Sequence, residues 1–363
     1  MVHKPAWKAA RSAGALAARN FLIGFSMVAT AFALLFLATG ETSIQAVLAE
    51  SIDPAYGIAA AALLLAGAMT QSAIWPFHRW LTSSLNSPTP VSAIMHAGLV
   101  NAGGFLLARF APMYFELPAM LTAALVAGLV SALLGTLWKL MQQDIKRMLA
   151  SSTMAQMGFM MVQCGLGLFP AAVAHLCWHG MYKAFLFLNS GGAARDKRLG
   201  RQDPPGLLAL VLALACGAAG SYGFAAASGK PWLPTDTTLV LVAVAFVAGA
   251  QFALALMRRR PLARLPLALP LTGVMGLIYG GSVRLMEAVL APDGLARPLP
   301  LNALHVAAIL LLLVAWLAML YVRREPGKER VSGRGLALYV KTLNASQPHP
   351  STVTAQRNHY NPA

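Results

Sequence analysis

The sequence predicts an all-α, polytopic membrane protein, and three observations carry that prediction. Hydrophobic residues make up 58% of the 363 and charged residues only 11%, against about 25% charged in soluble domains. Apolar runs of about 20 residues, the length needed to cross a bilayer, recur along the chain. Between these runs the basic residues gather in alternate loops. The net charge of +16 therefore reflects topology and not a nucleic-acid-binding face, because the cations are dispersed in short groups among apolar segments.

Ten spans are expected, near residues 20–39, 56–75, 88–109, 117–138, 149–166, 170–191, 206–227, 237–257, 266–289 and 301–322. Residues 1–19 read as a basic cytoplasmic linker, and Glu41 directly after Gly40 leaves no small-residue cleavage site, so the first run is a retained helix. One set of loops holds Lys4, Lys8, Arg11 and Arg19; Arg79; Lys139, Lys146 and Arg147; Arg195, Lys197, Arg198 and Arg201; Arg258, Arg259, Arg260 and Arg264; and the tail from Arg323 onward. The opposite set holds Glu41, Glu50 and Asp53; Glu116; Lys230 and Asp236; Asp293 and Arg297. The positive-inside rule then places both termini in the cytoplasm of a cell whose inner membrane the chain crosses. The residues divide into the linker, a module over 20–195, further transmembrane helices over 196–322, and a polar tail over 323–363. Within that tail LALYVKTL (336–343) has the potential to dock on a protein or on the membrane surface.

Cys164, Cys177 and Cys216 lie in apolar segments without CxxC spacing and read as small core residues. There is no GxGxxG, Walker loop, haem motif or zinc spacing, so the chain is expected to hold no cofactor and to be no enzyme in its own right.

Three stretches carry polar chemistry inside the apolar framework. In GAMTQSAIWPFHRW, followed by Ser87-Pro88-Thr89-Pro90 and a run bearing His96, Gln71, Pro76, Pro88 and Pro90 mark a broken membrane helix leading into a histidine-bearing one. Irregular backbone at membrane depth persists only where protein or water covers it. The plainer reading is that the prolines mark helix ends and that His96 is hydrogen-bonded inside a bundle. In AAVAHLCWHGMYKAFLFLNS, His175, His179 and Lys183 recur every four residues, on one helix face and about 6 Å apart per step. A lysine at mid-bilayer costs roughly 2.5–3.5 kcal/mol on insertion scales, so Lys183 must face a polar interior. Histidine changes charge near neutral pH, and such a row is suited to passing protons. A structural hydrogen-bonded stripe and a histidine-pair metal site lacking a third ligand are the alternatives. In WKLMQQDIKRMLASSTMAQMGFM, Asp144, Lys146 and Arg147 form a cytoplasmic turn from which Ser151, Ser152, Thr153 and Gln156 continue polar character inward; Lys146 would open a hydrated path. Arg284, beside Glu287, is read as snorkelling or locally ion-paired.

SPTPVSAIMHAGLVNAGG, QQDIKRMLASSTMAQMGFM and HLCWHGMYKAFLFLNSG resemble the proton-translocating antiporter module of respiratory complex I subunits and Mrp-type antiporters, over about residues 1–195. That resemblance implies an antiporter-like bundle whose proton path runs through His96, Lys146, His175, His179 and Lys183, beside a broken helix. Complex I subunits carry a lysine where this chain has Gln71. WPFHRW, LVNAGGFLLARF and the tail NASQPHPSTVTAQRNHY are instead similar to the DabB family, membrane subunits of energy-coupled inorganic carbon transporters. This second resemblance implies a DabA-like cytoplasmic partner that bears the zinc, with protons or sodium driving carbon accumulation through the membrane chain. Relatives of both kinds begin with several more spans, one bearing a glutamate that pairs with the path lysine. The expectation is therefore an amino-terminal truncation, a late start, or one piece of a split protein. The competing reading is a proton-pumping subunit of a complex I-type NADH-quinone oxidoreductase or an Mrp antiporter. A third is a non-transporting scaffold.

Overall fold

A computed structural model describes residues 5–194, 205–257, 260–291, 294–321 and 333–353. Arg195, Lys197, Arg198, Arg201, Arg258, Arg259, Asp293 and the tail residues 323–332 and 354–363 lie outside them, as does Lys4. The described residues are helical with no strands, as the periodicity and composition require. They fall into two units: one within residues 1–165, 175–196 and 331–363, the other within 166–174 and 197–330.

In the first unit α1 (Lys8–Thr39) starts twelve residues before the apolar run expected to span, because KAARSAGALAAR contains only good helix formers besides one glycine. Gly40, at φ 75°, ends it. The short α2 (Ile44–Ala49) follows. Asp53 caps α3 (Pro54–Gln71) by accepting from the Ala55 N–H. α4 (Arg79–Thr82), α5 (Thr89–Ala97), α6 (Ala102–Arg109) and α7 (Ala111–Phe115) are short pieces, and the long α8 (Pro118–Met141) and α9 (Ile145–Gly165) pair antiparallel. That crossing is close because glycines line it. A Cβ at Gly128 would lie 2.6 Å from the Val162 nitrogen and 2.7 Å from the Gly158 oxygen. Then comes α10 (Phe169–Leu188), which belongs to this unit from His175 onward.

The second unit contains α11 (Leu207–Ser228), α12 (Thr238–Met257), α13 (Pro261–Val289) and α14 (Ala303–Tyr321). Gly217 of α11 packs on α12, where a Cβ would stand 2.6 Å from the Phe246 oxygen, and Gly223 packs on the Gly273 oxygen of α13 at the same spacing. Without a hydrophobic drive between helices in lipid, such small residues allow the backbone contact that holds spans together. Thr237 ties this unit's loops: its hydroxyl donates to the Leu166 carbonyl and accepts from the Leu299 N–H. Glu287 pairs with Lys230 at 3.0 Å. The sequence had suggested Arg284 as its partner, but among the described residues no Arg284–Glu287 ion pair is present; Lys230, one residue past the glycine that ends α11, comes to Glu287 from another helix.

Eight of the expected spans coincide with helices long and apolar enough to cross a membrane: α1, α3, the α5–α6 segment, α8 and α11 to α14. α9 and α10 stand at the positions expected for two more and have the length, but fall short in apolarity because they carry the polar residues of the interior.

The last described pieces belong to the first unit. α15 (Gly333–Ala345) is followed by residues 346–353, strapped to the helix ends by side chains. Gln142 donates to the Ser346 hydroxyl at 2.8 Å, Arg147 to the Gln347 amide oxygen at 2.9 Å, and Asn86 to the Thr352 carbonyl at 2.8 Å. The His349 N–H donates to the Ser83 hydroxyl at 2.9 Å.

Candidate functional site: a buried row beside two helix breaks

The first break follows Gln71. Helix α3 ends there, five residues short of Pro76, and Ala73 takes a positive φ of 54°. Ser72, Ala73 and Ile74 are buried while Trp75 is 45% exposed, and its backbone is engaged: the Trp75 N–H donates to the Ser131 hydroxyl, and the Trp80 indole donates to the Thr70 carbonyl. Pro88 and Pro90 do not break anything; Pro88 is the N-cap of α5 and Pro90 its second residue, where proline lacks no needed hydrogen bond.

The second break was not foreseen. The run 88–109, read as continuous, is interrupted by a 3₁₀ turn at Leu99–Asn101 between α5 and α6. Three carbonyls there are met by side chains. Asn101 donates to Ala97 O at 2.8 Å, Gln71 to Leu99 O at 3.1 Å, and Ser72 to Val100 O at 2.7 Å. The first break thus supplies the donors for two of the carbonyls that the second exposes. α10 approaches the second break at Gly180, where a Cβ would stand 2.8 Å from the Ala97 oxygen.

Against these breaks lies the polar row. His175, His179 and Lys183 point inward from α10, at 8%, 5% and 0% exposure, while Trp178, Met181, Tyr182 and Phe185 point outward. Cys177 also faces outward, unlike the core position expected of it, since two residues from His175 is about 200° around a helix. Lys183 donates to the Leu149 carbonyl at 3.2 Å. The Thr153 hydroxyl donates to the same carbonyl at 3.0 Å and meets His96 Nδ1 at 3.1 Å. A hydroxyl has one proton; with that proton given to the Leu149 carbonyl, the tautomer that satisfies both contacts has Nδ1 of His96 donating to Thr153. The His96 ring stacks on Phe187 with centroids 4.3 Å apart. His175 hydrogen-bonds to the backbone of Gln156 and sits edge-on to Phe159. The His175 and His179 rings lie 6.0 Å apart and nearly parallel. Neither ring nitrogen of His179, nor Nε2 of His175, has a hydrogen-bond partner among the described residues. In the first turn of α9, Lys146 donates to the Ser87 carbonyl at 3.1 Å.

The structure thus brings His96, Lys183, His175 and His179 together, with Lys146 in the first turn of α9 and Gln71 bracing the second break. Among the described residues no group of three His, Cys, Asp or Glu side chains is placed to hold a metal. Sequence reasoning missed Thr153 as the link between His96 and Lys183. Outside the spans, His78 is buried against Trp138, its ring 4.8 Å away. Burial, helped by the charge of Arg79, pulls His78 down to about 4, against a backbone hydrogen bond at Pro76 that works the other way.

Long apolar helices, a buried histidine–lysine row and interrupted spans held by side-chain donors define a multi-pass membrane protein of the antiporter type. Residues 2–204 match the family described as NADH:quinone oxidoreductase/Mrp antiporter, TM, and the chain belongs to that family. It is 43% identical over 192 residues to the probable inorganic carbon transporter subunit DabB of Bacillus subtilis (strain 168), covering 52% of this chain and 38% of that protein. It is 35% identical over 300 residues to the probable inorganic carbon transporter subunit DabB2 of Halothiobacillus neapolitanus (strain ATCC 23641 / c2), covering 78% and 52%. The chain therefore spans about half the length, or less, of these relatives. A solved structure of the Mrp complex from Dietzia sp. DQ12-45-1b shares the fold, with a TM-score of 0.53 at 21% identity, over 94% of this chain and 43% of that one.

Proposed function

We propose that this chain is part of the membrane subunit of an inorganic carbon transporter, and that the buried row on α5, α9 and α10 conducts the ion that drives carbon accumulation. The observation that carries this reading is the fully buried Lys183 on the Leu149 carbonyl, joined through Thr153 to His96, in a chain that resembles DabB subunits. A lysine is not retained at membrane depth for stability, since its insertion alone costs roughly 2.5–3.5 kcal/mol. The imidazoles of His175 and His179 extend the row. Buried polar atoms without partners are costly, and ring nitrogens that exchange protons with water or with one another give them a role. Protons, or sodium in their place, would enter along this row and pass Lys146. Chemistry on CO2 would belong to a DabA-like cytoplasmic partner bearing zinc; this chain would hold no cofactor, would catalyse no reaction itself, and would sit in the inner membrane with both termini in the cytoplasm.

A redox-driven pump of the complex I or Mrp type is the competing reading. Gln71 weighs against it. The uncharged amide is engaged with the Leu99 carbonyl, at the position where the resemblance to complex I calls for a lysine.

The test is growth in air of cells lacking carbonic anhydrase, expressing the chain with a zinc-site partner encoded beside it, in native and Lys183→Ala forms. Rescue that disappears with Lys183→Ala supports the reading. Rescue only after further amino-terminal spans are fused on supports it for the longer protein. Failure of both forms, with proton pumping restored in a respiratory complex, would move the assignment to the redox class.

A further inference from the structure

Among the described residues of the tail α15 is amphipathic, and most of its apolar side is exposed, with Leu343 at its C-terminal end partly buried. Leu336, Tyr339, Val340 and Leu343 recur at three- and four-residue steps, covering about a third of the helix circumference. Leu336 is 54% exposed, Tyr339 50% and Val340 44%. Lys341 stands on the opposite side, and the helix contains no acidic residue, its other charge being Arg334. Its position is fixed by its C-terminal end. Ser346, one residue past α15, accepts from Gln142, the C-cap of α8, and Gln347 accepts from Arg147 in the first turn of α9. Those two residues mark where one membrane helix ends and the next begins, which is the level of the lipid headgroups. The Ser83 and Asn86 contacts to residues 349 and 352 hold the same strap from the other side.

We propose that α15 is an interfacial helix, lying on the inner leaflet with Leu336, Tyr339 and Val340 in the boundary between headgroups and acyl chains. Lys341 would meet anionic headgroups. The occupant of the apolar face is the bilayer itself, because the tether leaves the face at lipid level and because a basic helix without acids complements an anionic leaflet. At 1.5 Å per residue the helix is about 20 Å long, and its C-terminal end is strapped to protein through Ser346 and Gln347. By holding α15 flat, the membrane would also hold the strap that connects the 83–87 linker to the start of α9.

The experiment uses the full chain in nanodiscs, with Cys164, Cys177 and Cys216 replaced by alanine and a single cysteine carrying an environment-sensitive fluorophore at Leu336→Cys or Lys341→Cys. Val340→Cys serves if the first variant does not fold. The label at 336 is expected to emit to the blue of the label at 341 and to be quenched several-fold more by doxyl groups on lipid. The label at 341 should be the one reached by aqueous iodide. Replacing phosphatidylglycerol by phosphatidylcholine should lower the doxyl quenching at 336. Equal access of iodide to both labels would overturn the proposal by placing the helix in water. Shielding of 336 from iodide and from doxyl lipid alike would overturn it in favour of a protein surface, and quenching independent of lipid charge would overturn the electrostatic part.

Discussion

Thr153→Val removes one hydroxyl and almost no volume, so its consequences isolate the link between His96 and Lys183. In the native chain the hydroxyl lies 3.0 Å from the Leu149 carbonyl and 3.1 Å from His96 Nδ1. After the substitution the carbonyl keeps Lys183 as a donor at 3.2 Å, but Nδ1 of His96, 2% exposed, is left with nothing to donate to. An unsatisfied buried polar group costs about 1–3 kcal/mol, while interhelical hydrogen bonds in membranes average about 0.6 kcal/mol. The expected loss of stability is therefore on the order of 1 kcal/mol, between these estimates. Equilibrium unfolding in mixed micelles measures it, with Thr153→Ser, which keeps the hydroxyl, as the control. Nitrogen NMR of His96 supplies the second readout: the ring should carry its proton on Nδ1 in the native chain and lose that preference in the valine variant. If the valine variant unfolds like the native chain and the tautomer is unchanged, the network does not hold His96 as described.

Other perturbations act at separate places. Gln71→Leu leaves the Leu99 carbonyl without its donor and should destabilise by about 1 kcal/mol in the same unfolding assay, while Gln71→Lys, which retains a donor, should recover most of that. Gly128→Ala places a Cβ 2.6 Å from the Val162 nitrogen and 2.7 Å from the Gly158 oxygen, so α8 and α9 must part; overpacking of this kind costs about 1–3 kcal/mol, read as unfolding at lower denaturant. His78, held at about 4 chiefly by burial, stays neutral in the fold where the unfolded chain protonates near 6.5. Its contribution is complete above about pH 6.5 and is lost as pH falls toward 4, by at most about 1.4 kcal/mol per unit. The difference in unfolding free energy between native chain and His78→Gln, measured from pH 7 to 4, should follow that slope, and parallel curves would remove His78 from the account.

How much of this was legible in the sequence depends on which property each feature rests on. The spans were readable because burial in lipid imposes a composition, and the inward face of α10 because a four-residue repeat of His175, His179 and Lys183 defines a face on a helix. The break at Leu99–Asn101 was not readable. Gly98, Asn101, Gly103 and Gly104 weaken a helix only modestly by themselves, and the interruption is stable because Gln71 and Ser72, 28 residues earlier, supply the donors. Pro76 drew attention as the break point, yet helix α3 ends at Gln71. Thr153 was noted only as one of several polar residues; its particular role depends on the carbonyl of Leu149, an apolar residue whose side chain gives no hint of it. The pairing of Glu287 with Lys230 instead of Arg284 is likewise a tertiary fact, since neither partner's local sequence distinguishes them.

The register of α9 explains why these separate contacts form one system. Lys146, Leu149, Thr153 and Gln156 are spaced three, four and three residues apart, so they share a face, and they meet in turn Ser87 of the linker, Lys183, His96 and His175. Ten residues at 1.5 Å each make about 15 Å, half of a hydrocarbon core about 30 Å thick. α10 runs antiparallel to it, and the eight residues from His175 to Lys183 match the seven from Leu149 to Gln156, so the two polar faces stay in step. Two of the four contacts on α9 use backbone carbonyls, which have no side chain to swing away. A tilt or rotation of α9 would therefore shift the partners of Lys183 and His175 together with the contact of Lys146. The strap bears on the same helix, since Arg147 holds Gln347 and Asn86 holds Thr352 on either side of the Lys146–Ser87 bond. A displacement of the strap at Gln347 would therefore act on the helix that carries these four contacts.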